Sequence, residues 1–175
     1  EKNNIKDFTK ITNIFLPKIL NKRLNKIFEK GNLEGKIIIP FETDGSIGKG
    51  YGFSGKISNA SINFTKELSI KNLTTEIKNQ GINQVGFTAS IKKGTFFELD
   101  LAGTTIDLKR QLNKTNIKSL LHTSGKFNFS EIKKISSLLN LDVSSFKEIN
   151  GIGKLKTNIS FDLDKNFRVK NLSTT

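Results

Sequence analysis

From Leu33 onward the chain is dominated by short runs in which apolar and polar residues alternate, each ended by a glycine-containing turn. "KIIIPF" is almost continuously apolar and is broken by "TDGS". "VGFTASI" places Val85, Phe87, Ala89 and Ile91 on one side of a strand. "KKGT" then leads to "FFELDL", with Phe97, Leu99 and Leu101 in phase, and "LAGT" leads to "TIDLKRQL", with Ile106 and Leu108 inward. A period of two marks a half-buried strand. Glycine turns about every ten residues join such strands antiparallel. The pattern predicts an antiparallel β-meander over residues 32–112.

Two stretches read as helix. In residues 1–31, Leu16, Leu20, Leu24, Ile27 and Phe28 share a helical face, Pro17 suits a first turn and Gly31 a stop. Lys18, Lys22 and Lys26 line the other side, and covering a core is the favoured role over lying on a membrane. Residues 113–150 read as a helical insertion, capped by Ser130 and led by Glu131. Ile132, Ile135, Leu138 and Leu139 form its apolar face, and Val143, Phe146 and Ile149 extend it. Residues 151–175 start a second β unit. The expected class is mainly β (α+β): a curved meander or groove partly covered by two amphipathic helices.

An internal echo suggests a repeat. "GKISNASINFTKELSIKNLTT" (55–75) and "GKLKTNISFDLDKNFRVKNLST" (153–174) both run from Gly-Lys through two alternating strands to Lys-Asn-Leu. The segments before them, "FEKGNLEGKIIIPF" and "FKEINGIGKLKTNISF", also pass through glycines into a strand. Repeated supersecondary units are the mark of an elongated architecture in which each unit extends its neighbour's sheet.

Motifs for chemistry fail on inspection. Gly50-x-Gly52-x-x-Gly55 has the spacing of a phosphate loop, but strand-like "KISNASINF" follows it where a helix N-terminus is needed. No kinase catalytic loop or Asp-Phe-Gly accompanies it. These glycines read as turn, bulge or close-approach positions. His122 is the only histidine and cysteine is absent, which removes multi-histidine and thiolate metal sites. Glu98 and Asp100 read as the solvent side of a strand. Asn-x-Ser/Thr sequons, such as those at Asn59, Asn63, Asn72, Asn113, Asn158 and Asn171, follow from the abundance of Asn, Ser and Thr. No catalytic residue, metal or cofactor is assigned.

The net charge is +13, carried by 29 basic residues of which only Arg23, Arg110 and Arg168 are arginine. The lysines are spread through every segment with no long run, so the charge reads as compositional in preference to a dedicated polyanion site. Nucleic-acid recognition favours arginine's bidentate fork. The chain opens "EKNNIKDF" and lacks Met throughout, which reads as a piece of a longer protein.

The stretches "FLPKILNKRLNKIFEKGNLEGKIIIPF", "GYGFSGKISNASINFTKELSIKNLTTEI" and "SGKFNFSEIKKISSLLNL…INGIGKLKTNISFDLDKNFRVKNLS" resemble the AsmA-like superfamily of bacterial envelope proteins, nearest its YhdP type. Phe15-Leu16 stands where that family usually has tryptophan. The resemblance implies a non-enzymatic, cofactor-free segment of a periplasmic protein of a diderm bacterium, anchored to the inner membrane by a segment outside this chain. Such proteins build an apolar β-groove between inner and outer membrane, and are implicated in phospholipid transport and outer-membrane maintenance. The implied partners are phospholipid acyl chains, the two membranes and envelope proteins. By strand parity the groove candidates are Phe97, Leu99, Leu101, Ile106, Leu108, Ile159, Phe161 and Val169, with lysines at the rim attracting headgroups. Two alternatives stay open: a basic nucleic-acid-binding module, and a structural β-scaffold with a closed core.

Overall fold

The computed structural model describes residues 3–7, 22, 25–46, 48, 52–63, 68–79, 86–111, 114–139, 150–165 and 168–175. They form one antiparallel sheet in which strands close in sequence lie side by side. The strands are β1 (Asn3–Asn4), β2 (Phe28–Ile38), β3 (Gly52–Asn63), β4 (Ser69–Asn79), β5 (Gly86–Phe96), β6 (Leu99–Asp100), β7 (Thr105–Arg110), β8 (Lys114–Asn128), β9 (Asn150–Asp164) and β10 (Val169–Thr174). One helix, α1 (Phe129–Leu139), follows β8. The protein is mainly β, as the alternation predicts.

At the centre the pairing closes a circuit instead of continuing as a simple meander: β5 pairs with both β6 and β7, and so does β8. The physical reason is an interruption. Leu99 and Asp100 pair with β5, the chain loops out over Leu101–Thr104, and Thr105 resumes the pairing on the same strand. The loop stays tied to β5: Ile91 N–H donates to Thr104 O, Gly103 N–H to Ile91 O and Leu101 N–H to Gly94 O. Thus β6 and β7 are successive parts of one lane between β5 and β8.

Several expectations are corrected. Residues 114–128, placed in a helical insertion, form the fifteen-residue β8, paired with β9 over its whole length. The alternation of Ile117, Ser119, Leu121 and Thr123 against Lys118, Leu120 and His122 carries that strand. Asn128, not Ser130, caps α1: its Oδ1 accepts from Ser130 N–H at 2.9 Å. In the first segment residues 5–7 and 25–27 are helical, but β2 begins at Phe28, before the expected stop at Gly31. Leu16, Pro17, Leu20 and Leu24, like Val143, Phe146 and Ile149, lie outside the described residues, as does Val85.

Asparagine sets the irregularities. Asn59, Asn72 and Asn171 all have φ near +52°, each within or beside a register shift of its strand. Asparagine tolerates the left-handed region better than most residues. A bulge in that conformation adds one residue without turning the apolar side outward. Three of these sequon asparagines, Asn59, Asn72 and Asn171, therefore have a backbone role.

The core lies on one face, where Ile5, Leu33, Ile57, Ala60, Leu73, Ile91 and Leu101 cluster and Phe28, Phe53, Ile62, Ile70, Ile77, Phe96 and Leu121 pack against them. Gly55 follows from close approach: a Cβ there would lie 2.5 Å from Glu34 O and 3.1 Å from the Cα of Gly35, its partner on β2. The glycine is thus structural, as its sequence context indicates.

Candidate functional site

Directly paired residues of antiparallel strands project to the same face, so the registers read out each face as rows. On the core face, Leu33, Ile57, Thr75 and Ile91 form one row across β2 to β5. The next contains Gly55, Ile77, Ala89, Ile106, Ser119 and Ile159. Beyond it Phe87, Leu108, Ile117 and Phe161 form a third row across β5, β7, β8 and β9. A fourth begins with Arg110 and Thr115 and ends with Leu163 and Val169. Arg110 is the only charged residue at these paired positions. The first row is largely buried, whereas the side chains of the second and third rows are mostly half-buried. Among the described elements α1 makes its contacts chiefly with β8.

This arrangement sorts the eight candidate residues. Ile106 and Ile159 stand in one row through Ser119, and Leu108 and Phe161 in the next through Ile117. Val169 is 55% exposed at the β10 edge, against Leu163. The other three differ from a surface strip. Leu99 and Leu101 are buried, at 8% and 4% exposure, and Leu101 belongs to the core cluster. Phe97 is not in a strand: it sits in the turn between β5 and β6 with φ +53°, its ring 4.7 Å from that of Phe96. Strand parity failed there because "FFELDL" contains the turn itself. Parity also missed Phe87, Ile117 and Ala89 as row members, although Phe87 and Ala89 were legible as one side of "VGFTASI".

The opposite face collects the lysines. Lys36, Ser54, Lys78, Thr88, Asp107, Lys118 and Ser160 form one row across β2 to β9. Lys109, Asn116, Asp162 and Lys170 form another, and Lys126, Lys154 and Lys156 continue the face along β8 and β9. All these lysines are exposed, whereas Glu34, Glu76, Asp107 and Asp164 are half-buried and Asp162 is buried. These lysines, scattered in sequence, are thus gathered in space on the face away from the apolar rows. Alternation achieves this, because a lysine between two inward apolar residues must point outward.

Asp162 is the best-connected acid. It accepts from Lys114 Nζ at 3.1 Å, Asn116 Nδ2 at 3.0 Å and Asn171 Nδ2 at 3.0 Å. The amide bonds from Asn116 and Asn171, then that from Lys114, hold its carboxyl down at about 2. Lys92 pairs with Glu76 at 3.4 Å.

His122 does not form a catalytic pair. Its Nε2 is buried with no hydrogen-bond partner, and Gly103 lies against Nδ1, where an added Cβ would sit 3.3 Å away. The backbone of His122 is held by Thr104, whose Oγ1 donates to His122 O and accepts from His122 N–H. Glu98 falls in the turn beside Phe97, and Asp100 Oδ1 accepts from Ala102 N–H, so the two are not a paired acid and base. No group of three or more metal-ligating side chains occurs among the described residues. No described helix is long and apolar enough to cross a membrane, which says nothing of crossing by strands. Comparison with protein-family models, curated proteins and solved structures gave no match.

Proposed function

We propose that this chain is a non-enzymatic, lipid-handling segment of an envelope protein of the AsmA-like kind, whose apolar sheet face receives phospholipid acyl chains. The observation that carries the reading is the half-buried row Phe87, Leu108, Ile117 and Phe161, flanked by Ala89, Ile106 and Ile159 and free of charge. An acyl chain laid across β5, β7, β8 and β9 exchanges water for these side chains, each buried methylene contributing about 0.8 kcal/mol. The trough is this sheet face, and no cofactor takes part. In the same reading the protein works between the inner and outer membranes, held to the inner one by a segment outside this chain.

Native mass spectrometry of the gently extracted protein tests this. Phospholipid adducts are expected, and Leu108→Ser with Phe161→Ser should remove them while the β-sheet circular dichroism persists. A clean mass, or adducts indifferent to these changes, would reject the acyl-chain site. Rejection would favour a structural scaffold with a closed core, a reading supported by the burial of Leu99 and Leu101.

A further inference from the structure

The lysine face has a chemistry independent of the acyl-chain reading. Its positive groups stand exposed while the carboxylates among them sit lower and are engaged: Glu76 by Lys92, Asp107 by the Thr88 hydroxyl, Asp164 by the Arg168 backbone N–H, and Asp162 by Lys114 and two amides. Lys78, Lys118, Lys154 and Lys156 carry no ion pair among the described residues. The charge is therefore spread over many strands and directed to solvent. No Phe or Tyr shares the paired positions of this face.

We propose that the lysine face docks on an anionic lipid bilayer. A bilayer presents a broad field of negative charge, and exposed lysines on a sheet meet it without needing a defined geometry for each contact. Each such lysine contributes about fivefold in affinity near an anionic surface. Nucleic acid fits less well. Single strands are held by stacking on aromatic rings, which this face lacks, and specific phosphate contacts favour arginine forks. Lysine is a compact, strongly hydrated point charge suited to the diffuse partner.

Vesicle flotation tests the assignment with the whole chain. Wild-type protein should float with phosphatidylcholine vesicles that contain phosphatidylglycerol, stay behind with phosphatidylcholine alone, and be released by high salt. Replacing Lys78, Lys118, Lys154 and Lys156 with Gln should weaken binding on the order of several hundredfold. Replacing Lys22, Lys26, Lys133 and Lys165 with Gln removes the same charge from outside the face and should leave most of the binding. Equal losses from the two sets would overturn the proposal, because net charge alone would then account for binding. Equal flotation with neutral vesicles would overturn it too. Displacement from anionic vesicles by duplex DNA at matched phosphate concentration would overturn it in favour of a nucleic-acid partner. These outcomes are independent of the acyl-chain test, since the variants leave Leu108 and Phe161 in place.

Discussion

Asn72 and Asn171 hold the same left-handed backbone conformation, φ 53° and 52°, in the two Lys-Asn-Leu triplets of the chain. Each stands in a register shift of the second strand of a hairpin, β4 against β3 and β10 against β9. The internal echo in the sequence thus has a local physical meaning: both copies use asparagine to insert one residue without reversing the strand's faces. Their surroundings differ, since only Asn171 also donates to Asp162.

That difference separates two substitutions. Asn72→Gly keeps access to positive φ and should change stability by only a few tenths of a kcal/mol. Asn72→Val should cost about 1–2 kcal/mol, because a β-branched residue is strained there. Asn171→Gly should cost more than Asn72→Gly, since it also removes an amide bond to a carboxylate. Urea denaturation of the three variants checks the order.

Acid sensitivity should be traceable to Asp162. Its folded carboxyl is held at about 2, below the ordinary value of 3.8, so the unfolded chain takes up a proton first as pH falls. The stabilisation is fully present above the unfolded value, declines as pH drops below about 4, and is gone below about 2. Asp162→Asn should flatten the pH dependence of the unfolding midpoint in that window. An unchanged slope would refute this origin.

Thr104 is 2% exposed and its hydroxyl closes a two-way bond with the backbone of His122. Thr104→Val keeps the shape but leaves those groups unpaired, at a cost of about 2–3 kcal/mol. Thr104→Ser retains the hydroxyl and should cost less. Denaturant midpoints of the pair separate loss of the bond from loss of the methyl.

Gly125 faces Leu99 with φ +144°, and a Cβ there would come 2.4 Å from Glu98 O. Gly125→Ala should therefore destabilise by about 2 kcal/mol or more, through strain and forced separation of β6 from β8. Gly151→Ala is the control, because nothing lies within 4 Å of a Cβ there. Thermal unfolding of both checks the contrast.

The alternation in "VGFTASI" and "TIDLKRQL" was sufficient to place Ile91, Ile106 and Leu108 on the correct face, since period two maps directly onto the pleat. It misled at Phe97, where a run of apolar residues spans a turn. It also misled over residues 114–128, where a strand of mixed polarity was assigned to a helical region. The gathering of lysines was not legible from their spacing along the chain. It depends on registers between strands, which local sequence does not carry. Asp162 was missed for the same reason: its partners Lys114 and Asn116 lie on β8 and Asn171 on β10, distant in sequence or across a bulge.

The division into an apolar and a basic face also bears on how the chain reaches its fold. Slipping a hairpin by one residue would drive lysines into the core and phenylalanines into water, so misaligned pairings are penalised as soon as they form. Most strands pair with a near neighbour in sequence. Assembly can therefore proceed hairpin by hairpin, with errors removed at each step and little entropy spent on distant closures. For a ten-stranded sheet with free edges at β1 and β10 among the described residues, such self-correction favours rapid folding over edge-to-edge aggregation.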